Sequence, residues 1–129
     1  MDRFLTSDGY PGVSPPWATL TSINFSKEFG CGTKWRVPFG TTSYGEKHQI
    51  NTGSESFAGV TLSADGVIFA AGADDKKLYA IDESTGATLA SYMMPDNGAA
   101  APTLFGHAGK SYLFLQASGG GKLSDSTND

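Results

Sequence analysis

The sequence predicts an all-β chain, and three observations carry that expectation. Aromatic and β-branched residues are spread along 129 residues that also hold 17 glycines, a composition suited to short strands joined by tight turns. The segment Phe57–Met94 contains four short runs separated by three turn signals, Asp65-Gly66, Gly72–Asp75 and Glu83–Gly86. Within it, Val67-Ile68-Phe69-Ala70-Ala71 does not alternate with polar residues, so both faces of that strand are expected to be covered. A four-stranded meander covered on both faces, at the period of about 40 residues of propeller repeats, reads as one blade stacked between two others.

Residues 1–16 are rich in Gly, Pro and Ser, and Tyr10-Pro11 and Pro15-Pro16 favour extended backbone, which predicts a loop. Trp17–Phe25 reads as a strand with Leu20, Ser22 and Asn24 on one face and Thr19, Thr21 and Ile23 on the other. Ser26–Gly32 is expected to turn, with Cys31 as a loop thiol, and Thr33–Pro38 to be the partner strand. Gly40–Ser56 is a polar connector, of a length usually functional or mobile inside a compact domain.

The central strands are expected at Ala58–Ser63, Val67–Ala71, Lys77–Asp82 and Ala87–Met93. Asp65-Gly66 predicts a type I′ hairpin turn, in which both central residues take positive φ. Pro95-Asp96-Asn97-Gly98 turns the chain into a last hairpin, Ala99–Phe105 and Lys110–Ala117, across Gly106–Gly109. Ser118–Gly121 is a flexible glycine run, and Leu123–Asp129 is polar and expected to be disordered. The organisation is thus a loop over 1–16, a blade unit over 17–122 and a tail over 123–129. Counted by strands, the fold is a fragment of a β-propeller: one complete four-stranded blade flanked by two half blades.

Composition excludes several function classes. The net charge is −4, and Lys34, Arg36, Lys76 and Lys77 are too few and scattered for a nucleic-acid surface. No apolar run approaches the ~20 residues that span a bilayer, and no secretion signal is visible at the N-terminus. Cys31 is the single cysteine, so no internal disulfide forms. His48 and His107 lack ligand-spaced partners and read as exposed loop histidines. Asn24-Phe25-Ser26 matches a glycosylation acceptor but falls at a strand end. No Ser/His/Asp set, phosphate-cradling loop or paired carboxylates can be assembled.

Ala80-Ile81-Asp82-Glu83-Ser84-Thr85-Gly86 resembles the repeat A-x-D-x-x-T-G-x-x-x-W of propeller dehydrogenases that use pyrroloquinoline quinone (PQQ). In that repeat the Trp docks against the neighbouring blade; here its place falls on Ala90, whereas Trp35 is the plausible docking ring of the first hairpin. Asp8-Gly9-Tyr10-Pro11-Gly12, Pro15-Pro16-Trp17-Ala18-Thr19-Leu20, Trp35–Gly40 and Gly109-Lys110-Ser111-Tyr112 add an ordered series. It is similar to the C-terminal part of membrane glucose dehydrogenase and related alcohol and polyol dehydrogenases.

The resemblance implies a cofactor lying across the propeller axis, over the starts of the innermost strands. Phe57-Ala58-Gly59 occupies the place of a family Trp-Gly-Gly segment beside it, and Gly120, Gly121 and Lys122 close the glycine run that borders the quinone. Phe57 keeps an apolar π surface, and Lys122 would suit an anionic tricarboxylate. The family's calcium ligands and catalytic Asp belong to earlier blades that this chain does not contain. The resemblance therefore implies a fragment of a periplasmic dehydrogenase of sugars, alcohols or polyols, inactive alone. The alternative is a non-catalytic propeller-type binding or scaffold module. Open sheet edges are expected to pair with further copies, giving a homo-oligomer, or with the missing upstream blades.

Overall fold

The computed structural model describes residues 4–26 and 30–118. Eight strands and one short helix follow in order: β1 (Thr19–Ser26), β2 (Gly30–Pro38), α1 (Ser43–His48), β3 (Val60–Leu62), β4 (Val67–Ala70), β5 (Lys77–Asp82), β6 (Thr88–Met93), β7 (Thr103–His107) and β8 (Lys110–Phe114). They form three antiparallel sheets: the hairpin β1-β2, the meander β3-β4-β5-β6, and the hairpin β7-β8. The fold is all-β, as expected.

Boundaries moved where side chains outweighed turn propensity. Pairing of Phe25 with Cys31 and of Ser26 with Gly30 carries the first hairpin beyond the expected strand ends. Cys31 is therefore an exposed strand residue, not a loop thiol. The last hairpin is shorter than expected, because β7 begins only at Thr103, after Pro102, which has no N–H to give to a ladder.

Asp65-Gly66 does mark a hairpin, but not as type I′. Only Gly66 has positive φ (78°), Gly66 N–H donates to the Ser63 carbonyl at 3.2 Å, and Ser63 N–H donates to the Val67 carbonyl at 2.8 Å. That is a three-residue loop closed by a left-handed glycine. The two-residue turn with both φ values positive lies instead at Ala108 (48°) and Gly109 (74°), between the paired His107 and Lys110.

The core sits on one face of the meander. Ile68 pairs with Ile81 and Ala70 with Tyr79, so these four side chains point the same way. Phe39, Ile68, Ala70, Ala73 and Ile81 form the buried cluster, with Leu20, Trp35 and Tyr79 packed against it. Burying Phe39, Ile68 and Ile81 stabilises by about 2 kcal/mol each. The opposite face, with Val67 and Phe69, is only half-covered, so the expectation of two sealed faces holds for one.

The connector after β2 is pinned rather than loose. Thr52 and Ser54 are fully buried, the Thr52 carbonyl accepts from Trp17 N–H at 2.6 Å, and Ser54 Oγ accepts from Asp74 N–H at 3.1 Å. Its middle folds into α1, capped where Thr42 Oγ1 accepts from Gly45 N–H at 3.1 Å. His48 ends this helix and His107 ends β7, so neither lies in the loop expected for it.

Candidate functional site

Two regions at opposite ends of the meander organise the molecule's chemistry: the Asp82–Gly86 turn, at the end where Asp82 pairs with Val67, and the segment leading into β3, at the end where Val60 pairs with Ala70. In the turn, Asp82 Oδ1 accepts from Ser84 N–H (2.8 Å), Thr85 N–H (2.9 Å) and both side-chain hydroxyls. The Ser84 hydroxyl first, then the Thr85 donors, hold the Asp82 carboxyl below the usual carboxylate range. The turn closes through Gly86 N–H to the Asp82 carbonyl at 2.8 Å.

Gly86 has φ 78°, and a Cβ placed there would stand 2.7 Å from the Trp35 ring. Only glycine allows both this backbone and this approach. Trp35 Nε1 donates to the Glu83 carbonyl at 2.8 Å, and Lys34 Nζ pairs with Glu83 Oε1 at 2.7 Å. Trp35 of the first hairpin therefore docks on the T-G turn of the meander.

The register locates Ala90 too. Trp35 pairs with Ser22 and Ala90 with Ala80, and in each hairpin the ladder shifts immediately afterwards, at Ser22/Ile23 and at Ala80/Ile81. Ala90 thus stands where Trp35 stands in the preceding repeat, and it is exposed.

At the second region, Ser56 bridges to Ala73 and its hydroxyl donates to the Ala71 carbonyl at 3.3 Å, which fixes the entry to β3. Phe57 follows, 49% exposed. Ala58 packs on Gly72: a Cβ on Gly72 would meet Ala58 Cβ at 2.5 Å and the Gly98 carbonyl oxygen at 2.8 Å. A Cβ on Gly98 would meet the Gln116 carbonyl oxygen at 2.6 Å, and one on Gly59 would meet Ala101 Cβ at 3.2 Å. The approach to β3, the approach to β7 and the chain leaving β8 therefore converge. Gly120, Gly121 and Lys122 lie outside the described residues; Gln116, four residues before Gly120, is at this junction.

Sequence reasoning missed three features. Asp75 is a hub, accepting from Thr41 N–H (3.0 Å), Lys77 N–H (3.1 Å) and the Tyr79 hydroxyl. Burial first, then that bond, raises the Tyr79 pKa above the usual phenol range. A ring cluster joins the N-terminal loop to α1: Tyr10 stacks with Trp17 (6.3 Å) and meets Tyr44 edge-on (5.0 Å), and Tyr44 contacts His48 (4.2 Å). Asn97, read as a turn residue, is buried. In the first two, Thr41 reaches Asp75 and Tyr10 reaches Tyr44 across some 34 residues, separations that no local pattern announces.

Among the described residues no group of three or more His, Cys, Asp or Glu could hold a metal ion, and no helix is long and apolar enough to cross a membrane. Residues 1–113 match the family described as PQQ glucose/ethanol/alcohol dehydrogenase, β-propeller domain. A probable quinate dehydrogenase (quinone) of Xanthomonas campestris pv. juglandis is 31% identical over 132 residues, covering 96% of this chain and 16% of the relative. The glycerol dehydrogenase large subunit of Gluconobacter oxydans is 31% identical over 121 residues, with 87% and 16% covered. The quinoprotein glucose dehydrogenase of Escherichia coli is 24% identical over 135 residues, covering 100% of this chain and 17% of that protein. The chain spans about one-sixth of the length of these relatives.

Proposed function

The chain belongs to the PQQ glucose/ethanol/alcohol dehydrogenase β-propeller family, and on that premise we propose that it is a C-terminal section of a larger quinoprotein dehydrogenase. In this reading the meander is one whole blade, β1-β2 the outer half of the blade before it, and β7-β8 the inner half of the blade after it. The observation that carries it is the docked Trp35, with the same pairing and the same shift repeated around Ala90. The parent acts in the periplasm on sugars, alcohols or polyols, and calcium accompanies the cofactor through ligands outside this chain.

The residues present fit the cofactor. Phe57 stands half-exposed ahead of β3, and beside it Gly59, Gly72 and Gly98 let backbone segments approach where a Cβ would meet its neighbours at 2.5–3.2 Å. Bound PQQ would supply the acceptor for the two electrons and two protons lost when a hydroxyl becomes a carbonyl. Phe57, Ala58 and Gly59 would border it, and the resemblance adds Gly120, Gly121 and Lys122, outside the described residues, where a lysine would suit an anionic tricarboxylate. The chain supplies floor, not chemistry. With PQQ and calcium added, reduction of an acceptor dye by this chain should stay at the blank, and turnover well above blank would overturn this. Saturable quenching of Trp17 and Trp35 fluorescence by PQQ supports a cofactor floor, whereas a flat titration favours a scaffold module.

Assembly follows from the same strand count. Two-stranded sheets are marginal alone, and β1-β2 and β7-β8 each leave open edges. The inner pair at one end is what the outer pair at the other end lacks. Joining them between copies, or with the parent's remaining blades, completes a four-stranded sheet. Light scattering at micromolar concentration should find a homo-oligomer, and a compact, well-folded monomer would sink the proposal.

A further inference from the structure

The two outer hairpins lie on opposite faces of the meander. Val60 pairs with Ala70 and Leu62 with Ile68, so both point to the face that carries the buried cluster, where Leu20 and Trp35 of the first hairpin pack. Thr61 pairs with Phe69 and points the other way, and its hydroxyl donates to the Pro102 carbonyl just ahead of β7. The meander thus stands between β1-β2 and β7-β8, and the two cannot join into one sheet within a chain.

Each side leaves an apolar surface bare. In the last hairpin Phe105 pairs with Tyr112 and Thr103 with Phe114, so three rings share one face, two of them stacked at 5.3 Å. All three are exposed, whereas Leu104 and Leu113 on the reverse face are half-buried. Three rings about half-open present on the order of 300 Å² of apolar surface, a patch of the size that is often functional on a soluble protein. On the meander, Val60 and Leu62 are exposed although Ile68, Ala70 and Ile81 of the same face are buried. The cover that Leu20 and Trp35 give to β4 and β5 does not extend to β3.

We propose that the ring face of β7-β8, with Phe105, Tyr112 and Phe114, seats on the Val60 and Leu62 strip of a second copy, the open edge of β8 pairing with that copy's β1. Trp35 of β2 docks at the turn between β5 and β6, so β2 lies over the outer strands and β1 borders the bare β3. A hairpin added at the β1 edge therefore covers that strip. The strip and the rings belong to the same chain but to opposite faces of its meander, so a second copy brings them together. The contact is head-to-tail, ring face to strip, and such contacts close into rings of copies. The inference rests on the strand-complementation reading above and adds to it the faces that meet and their direction.

The test is light scattering of the 129-residue chain and two variants at micromolar concentration, alone and mixed. Phe114→Lys spoils the ring face and Leu62→Lys the strip; both positions are exposed, so thermal melts should show folded chains. Phe114→Thr and Leu62→Thr replace them if either lysine variant unfolds. The unaltered chain should associate. Each variant alone should run at the single-chain mass, its association shifted to at least about tenfold higher concentration. Mixed one to one, each variant supplies the surface that the other has lost, and a two-chain complex should form. A monomeric unaltered chain overturns both the strand-complementation reading and this contact. Variants that associate like the unaltered chain leave that reading standing and remove these faces from it. Two monomeric variants whose mixture stays monomeric overturn the head-to-tail contact.

Discussion

The hairpins β1-β2 and β5-β6 are built to one plan and end in different states. Both shift register one residue after a small residue, Ser22 in one and Ala80 in the other, and both place the residue opposite it at the same point. In the first hairpin that residue is Trp35, whose ring covers Gly86 and whose indole N–H finds the Glu83 carbonyl. In the second it is Ala90, and every residue of β6 is exposed. The same register shift thus leaves Trp35 half-buried and Ala90 exposed. Hydrogen bonding between strands builds a sheet, but a single aromatic side chain decides whether that sheet is joined to the next one.

The comparison can be broken most severely at Gly86. Gly86→Ala would put a Cβ into the Trp35 ring at a positive φ, and should cost about 3 kcal/mol in urea unfolding. Removing the ring itself should do less. Trp35→Ala is expected to cost about 2 kcal/mol, below a fully buried ring because Trp35 keeps one side open. Trp35→Phe retains the packing, loses the bond to Glu83, and should cost about 1 kcal/mol. If both Trp35 variants melt like the unaltered chain, the dock does not hold the sheets together.

Acid sharpens the contrast at the turn. The Asp82 carboxyl titrates below its unfolded value, so its contribution is present above a pH of about 4 and is lost as pH falls through the lower folded value. Melts taken from neutral pH downward should show that loss, and Asp82→Asn should flatten it. The smallest effect belongs to the bare repeat. Ala90→Trp adds a ring at an exposed position with no turn among the described residues to receive it, and should move stability by no more than about 0.5 kcal/mol. A large stabilisation would mean that Ala90 faces a covering surface.

The same contrast explains what could be read from the sequence. Turn pairs and apolar runs located all eight strands, because hairpins are local, and the A-x-D-x-x-T-G pattern of Ala80–Gly86 identified the repeat although its tryptophan position holds Ala90. The helix α1 was not legible. Ser43–His48 has six residues with Gly45 inside, and it depends on the Thr42 cap and on Gly45 fitting against the Ile50 carbonyl and Thr52. The Tyr10, Trp17, Tyr44 and His48 cluster joins segments far apart in the chain, and no local pattern announces such a meeting. At the site, Phe57–Gly59 could be placed through resemblance alone. Asn97 carried the ordinary signature of a turn, and its burial was not announced by any local pattern.

The Trp35 dock also has a direction: the ring comes from one repeat and the glycine that receives it from the next. The first hairpin therefore fastens itself to the meander that follows, whereas β6, with Ala90 in the ring's place, has no ring to pass on. Fraying should start there, so β6, exposed along its whole length, should exchange its amide hydrogens before β4, whose Ile68 and Ala70 are buried and which is paired on both sides.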